Sequence, residues 1–233
     1  MIAAAVVAVA AMPAGAVNLV QNGSFEQTTN GLGQFDYRTQ AVGWTSSGYN
    51  YLFDGNNPTD NVQGSYGGLA LWGPGNGSNN GLSASPFGGN FVGADGAFQV
   101  GAISQTLTGL TAGHKYAIDF AWGGAQQLGF NGDQTEQWEV QFGSQSQFTA
   151  VYHNPSHGFS GWMSEHFVFT ADGATDVLSF IAHGTPDGVP PFSLLDGVSG
   201  TAVPEPASWA LMIGGLGLVG AVARSRRSRV VAA

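Results

Sequence analysis

The chain contains no cysteine among its 233 residues, so neither a disulfide framework nor a thiolate metal site is available to it. Charge is scarce too: 9% of the side chains are charged, where ordinary soluble domains carry roughly a quarter. That excludes a coiled coil, a long-helix protein and a charge-rich disordered chain. Basic residues are the scarcest of all. Between Asn18 and Val203 there are two, Arg38 and Lys115, against fourteen acids, a net charge of −12. Such an acidic body cannot neutralise a phosphate backbone, which argues against nucleic acid as a partner. The same stretch shows almost no helical periodicity. What is plentiful is glycine, with 37 residues, and apolar side chains, at 43% of the chain, enough to build a core.

The two ends differ from this body. Residues 1–16 form an alanine-rich apolar run closing on Ala14-Gly15-Ala16. It is too short to span a bilayer and has the apolar region and small-residue cleavage pattern of a secretory signal peptide, although the basic leader residues are missing. At the other end, Ala207 to Ala223 is 17 residues without a charge, at the lower limit of the roughly 17 to 25 that cross a hydrocarbon core. Arg224, Arg226, Arg227 and Arg229 follow at once and would hold the tail on the cytoplasmic side of a single transmembrane helix. Within that run, Gly215-Leu216-Gly217-Leu218-Val219-Gly220 matches a dinucleotide fingerprint, but the fingerprint needs a strand before it and a βαβ unit around it. Close helix packing accounts better for these glycines.

Just before the apolar run stands Val203-Pro204-Glu205-Pro206-Ala207-Ser208-Trp209-Ala210, kept extended by its two prolines. The order of motif, span and arginines resembles the PEP-CTERM sorting signal in its Trp-Ala variant. The resemblance implies a Gram-negative bacterium that makes exopolysaccharide, a brief stay in the inner membrane, and cleavage by an exosortase that delivers the body to the cell surface or matrix. Pro204, Glu205, Pro206, Trp209, Arg224, Arg226 and Arg227 are then recognition residues, with no catalytic role. The expected organisation is a signal peptide at 1–16, one domain at 17–203 and a sorting signal at 204–233.

In the body, apolar residues alternate with polar ones between clusters of Gly, Asn, Asp and Pro, the pattern of short strands joined by turns. Tyr116, Ile118, Phe120 and Trp122 form one such series, and Trp138, Val140 and Phe142 another. Further strands are expected at Ile103 to Leu107, Ser164 to Thr170, Val177 to Ala182 and Phe192 to Ser199, with Thr111 to His114 closing a hairpin. The expected fold is an all-β jelly-roll sandwich. Thr45 to Asn61 and Gly73 to Gly89 read as long loops, carrying or flanked by Tyr49, Tyr51 and Trp72.

The run Asn18 to Glu26, with Gly43-Trp44-Thr45, Ile103 to Leu107 and the closing Ser193 to Ser199, resembles the galactose-binding-like jelly roll of many carbohydrate-binding modules. In such modules an early Glu and a late Asp often hold a structural calcium, which here implies Glu26 and Asp196. Asp196 shares strand parity with Phe192, Leu194 and Val198, and a buried carboxylate must be paired or metal-bound. Calcium, which takes oxygen ligands, would satisfy it; capping of a turn by Asp196 is the alternative.

Other motifs carry little. Asp54 to Asp60 fails the EF-hand pattern at Pro58 and reads as an Asx-rich turn. His153 and His157 are separated by Pro155, against a helical zinc pair. Gly158-Phe159-Ser160-Gly161 is out of step with a nucleophile elbow. Nothing pairs Asp119, Glu136, Glu139 or Glu165 for glycoside hydrolysis. Sugar binding needs an exposed aromatic face with polar groups around it, and Tyr49, Tyr51 and Trp72 are the candidates. The expected protein is a non-catalytic binder of exopolysaccharide or another neutral glycan, since the acidic surface repels acidic polymers. A structural surface protein without a ligand, and a polysaccharide hydrolase, are the alternatives.

Overall fold

The alternating runs form strands because each places its large apolar side chains on one face. The structure, a computed structural model, describes residues 17–60 and 69–204. The expected signal peptide, the apolar run after Pro206, and Glu205, Pro206, Trp209, Arg224, Arg226 and Arg227 lie outside these residues; among the described ones no helix is long and apolar enough to cross a membrane. The strands are β1 (Gly33–Gln34), β2 (Thr45–Ser46), β3 (Asn50–Asp54), β4 (Asn90–Asp95), β5 (Ile103–Thr108), β6 (Lys115–Gln126), β7 (Gln134–Phe142), β8 (Gln145–Phe148), β9 (Tyr152–Asn154), β10 (Met163–Thr170), β11 (Thr175–Thr185) and β12 (Pro191–Ala202). They build two antiparallel sheets, β1-β3-β4-β12-β6-β10 and β2-β5-β11-β7-β8, with β9 pairing β7 as well. This is an all-β jelly-roll sandwich.

Tyr116, Ile118, Phe120 and Trp122 of β6 face Trp138, Val140 and Phe142 of β7 across the sandwich, in a core that also takes Phe25, Trp44, Leu178 and Phe180. Trp138 is fully buried and its Nε1 donates to the Leu194 carbonyl at 3.0 Å, so the indole dipole is satisfied inside the core. Thr111 to His114 is a turn, but it closes no hairpin. The strands it joins, β5 and β6, belong to different sheets, and the turn carries the chain across the sandwich.

The first sheet is covered on its outer face as well. Tyr51, Phe53, Phe91, Ala125, Phe192 and Leu194 form a second core under Leu69, Leu71 and Leu82, with Phe159 and Trp162 packed against it. The covering segment is tied down by backbone pairing: Trp72 N–H donates to the Gln126 carbonyl at 2.9 Å and Leu128 N–H to the Ala70 carbonyl at 2.8 Å. Thr45 to Asn61 is therefore no long loop, since it supplies β2 and β3. Its Gly and Asn content hid an alternation in which Tyr51 and Phe53 share one face.

Candidate functional site

Loops at one end of the first sheet, beside the start of β3, the ends of β4 and β6 and the start of β12, enclose a cleft of about 230 Å³ lined by Tyr49, Asp95, Phe98, Gln127, Phe130, Asp187, Gly188 and Pro190. Asp95 ends β4 and is 1% exposed, its Oδ1 accepting the Ala97 and Phe98 backbone N–H groups at 2.8 and 3.0 Å. Those bonds turn the chain so that Phe98, 47% exposed, stands edge-on to Tyr49 with centroids 5.3 Å apart. Oδ2 of Asp95 has no hydrogen-bond partner. Burial raises the pKa of Asp95 above the usual carboxylate range, the two N–H bonds oppose that, and the neighbouring Asp187 charge adds to it.

The three aromatic residues expected to meet a ligand separate. Tyr49 lines the cleft. Trp72 stands behind it, stacked on the His157 ring at 3.9 Å, and its Nε1 donates to the Phe130 carbonyl at 2.8 Å. It holds the wall that carries Phe130. Tyr51 is corrected: at 2% exposure it packs within the second core, its hydroxyl hydrogen-bonded to Tyr49 and its acidity suppressed by burial. It offers no face to a ligand because the covering layer closes over β3. Sequence reasoning missed Asp95, Phe98, Gln127, Phe130 and Asp187. The available signal was the lone phenylalanine in two small-residue loops, Gly96-Ala97-Phe98 and Gly129-Phe130-Asn131-Gly132.

Asp196 is fully buried, though not in the sandwich interior. It lies on the same face as Phe192 and Leu194, and an irregularity after it moves Val198 into the main core. The segment from Ser85 covers it. The Ser85 hydroxyl donates to its Oδ2, and Gly197 N–H donates to its Oδ1 at 2.7 Å. Glu26 is exposed and accepts the Asn90 N–H at 2.6 Å. The structure brings the two expected metal-binding carboxylates near enough to repel: burial first, then the Glu26 charge, pushes the Asp196 carboxyl up to about 7, against the two hydrogen bonds. Among the described residues no group of three or more His, Asp or Glu is placed to hold a metal.

The remaining acids are scattered. Glu136 is sealed in the interior, Glu139 bonds His183 at 2.9 Å, Asp119 bonds His166 at 2.6 Å, and Glu165 accepts the Trp122 indole N–H at 3.2 Å. Asp54 accepts N–H groups of Asn56 and Asn57, an Asx turn that lowers its pKa. Pro204, of the sorting motif, is exposed and outside any strand.

Residues 202–227 match the PEP-CTERM protein-sorting motif, a signal of export to the surface or exterior. No curated protein matches the chain. The fold is similar to TmCBM61 solved in complex with beta-1,4-galactotriose, at 15% identity over 80% of this chain and 99% of that one, TM-score 0.44. It is also similar to the CBM22-1 xylan-binding domain of Paenibacillus barcinonensis Xyn10C, at 12% identity over 82% and 97%, TM-score 0.39. A third likeness is to an arabinose-bound MgGH51 α-L-arabinofuranosidase, at 11% identity over 79% of this chain and 26% of that one, TM-score 0.41.

Proposed function

We propose that this exported protein is a non-catalytic glycan binder of the cell envelope or matrix, and that the cleft between Tyr49, Phe98 and Phe130 holds the sugar. One observation carries the reading: aromatic rings converge on a cleft beside a buried carboxylate oxygen that has no partner. Rings take the apolar face of a pyranose, while Asp95, Asp187 and the Gln127 amide meet its hydroxyls. The sorting motif supports the rest: a signal peptide at 1–16 directs export, an exosortase acts near Pro204-Glu205-Pro206, and the polymer is the producer's own exopolysaccharide. Calcium at Glu26 and Asp196 belongs to the same proposal, as a structural ion. The fit rests on the excess negative charge at a buried carboxylate, which a cation would relieve.

Affinity electrophoresis through the producer's exopolysaccharide tests the binding. The expected result is retardation of the wild type, weakened roughly tenfold by Phe130→Ala. Unretarded migration of both proteins would leave a structural surface protein without a ligand. A polymer shortened on long incubation would favour the hydrolase.

A further inference from the structure

The cleft has more negative charge than a neutral sugar needs. Asp95 and Asp187 both line it and repel each other, and Asp95 Oδ2 is buried without a donor. Lys, Arg and His are absent from its lining among the described residues, and the body's two fixed cations, Arg38 and Lys115, do not contribute. Around the acids stand Tyr49, Phe98 and Phe130, the last two 47% and 36% exposed. Hydroxyls could donate to Oδ2, but they would leave the repulsion between the carboxylates in place. An ammonium group removes both problems. It donates charge-assisted hydrogen bonds to carboxylates and is attracted to aromatic faces by their quadrupoles. The cleft is below the roughly 300 Å³ at which pockets for drug-sized ligands begin, so it suits a single residue of a polymer.

We infer that the Tyr49–Phe98–Phe130 cleft selects an amino sugar with a free ammonium, a de-N-acetylated hexosamine unit, seated between Asp95 and Asp187. This rests on the glycan-binding reading and narrows it from any neutral glycan to a partly cationic one.

The test is calorimetric titration of the full-length chain in neutral detergent with three tetrasaccharides: β-1,4-linked glucosamine, its fully N-acetylated form, and the corresponding glucose oligomer. The glucosamine tetramer is expected to bind roughly tenfold tighter than the other two. Asp187→Asn should cut that preference to below about threefold with an unchanged melting temperature, and Phe130→Ala should weaken binding of the same ligand. Binding of the glucosamine tetramer that neither variant alters would overturn the inference, because it would be diffuse attraction to an acidic surface. Equal or tighter binding of the acetylated or glucose tetramer, still weakened by Phe130→Ala, would overturn it while the glycan-binding reading stands. Failure of all three tetramers and of the producer's exopolysaccharide to bind would remove both.

Discussion

Glu136 shows how one residue can make stability depend on pH. It points from β7 into the sandwich beside Gln134 and Asn154, and Asn154 Nδ2 donates to its Oε1 at 3.1 Å while Oε2 has no partner. Burial pushes its carboxyl up to about 8, against the opposing amide hydrogen bonds. The folded protein therefore holds a proton that the unfolded chain releases near pH 4.5. Below that pH the contribution is fully present, and it is lost as the pH rises toward about 8. Glu136→Gln keeps the shape and removes the ionisation. Urea titrations should show the variant gaining stability over wild type from pH 5 to pH 9, on the order of a few kcal/mol at the alkaline end. A constant difference between the two proteins across that range would contradict the assignment. The sequence placed Glu136 on a strand; only the packing of β9 and the polar end of β6 sealed it in.

At the scale of elements, β12 joins the two halves of the molecule. It lies between β4 and β6, and its side chains are buried on both faces, Leu195 and Val198 in the main core and Phe192 and Leu194 in the second. The irregularity between Asp196 and Ser199 is what lets one strand serve both. Gly197 makes it possible with φ of +61°, and the Phe87 ring lies where a Cβ would project. Gly197→Ala is expected to destabilise by about 1–3 kcal/mol and to loosen the segment from Ser85 that covers Asp196. Chemical denaturation measures the first effect, and faster hydrogen exchange in residues 85–89 would report the second. Both effects failing to appear would mean the segment is held elsewhere. Parity along the sequence already grouped Asp196 with Phe192 and Leu194, and that grouping holds. Val198 left it because a bulge changes parity, and a bulge is decided by the partner strands.

For the whole molecule, charge couples stability to its surroundings. Without a cation, the raised Asp196 carboxyl makes the fold lose stability as pH rises from about 3.8 to about 7, and calcium binding favours the ionised form. The drop in melting temperature on adding a chelator should be small at pH 4.5 and several degrees at pH 7.5, by binding linkage. No difference between chelated and calcium-loaded protein at pH 7.5 would remove the ion from the account. For sorting, intact-mass analysis of material recovered from outside the cell is expected to end near Pro206, and a form retaining Arg229 would contradict processing at the motif. The sequence alone determined the destination and the class of fold. The sorting signal is read as a linear order of proline motif, apolar run and arginines, and strand alternation depends on local side-chain direction. The cleft proposed for the sugar was a tertiary decision. Tyr49, Asp95, Phe98, Phe130 and Asp187 come from segments far apart in the chain. The pairing of β3, β4, β12 and β6 in one sheet brings them together at one end, and the layer over that sheet buried Tyr51.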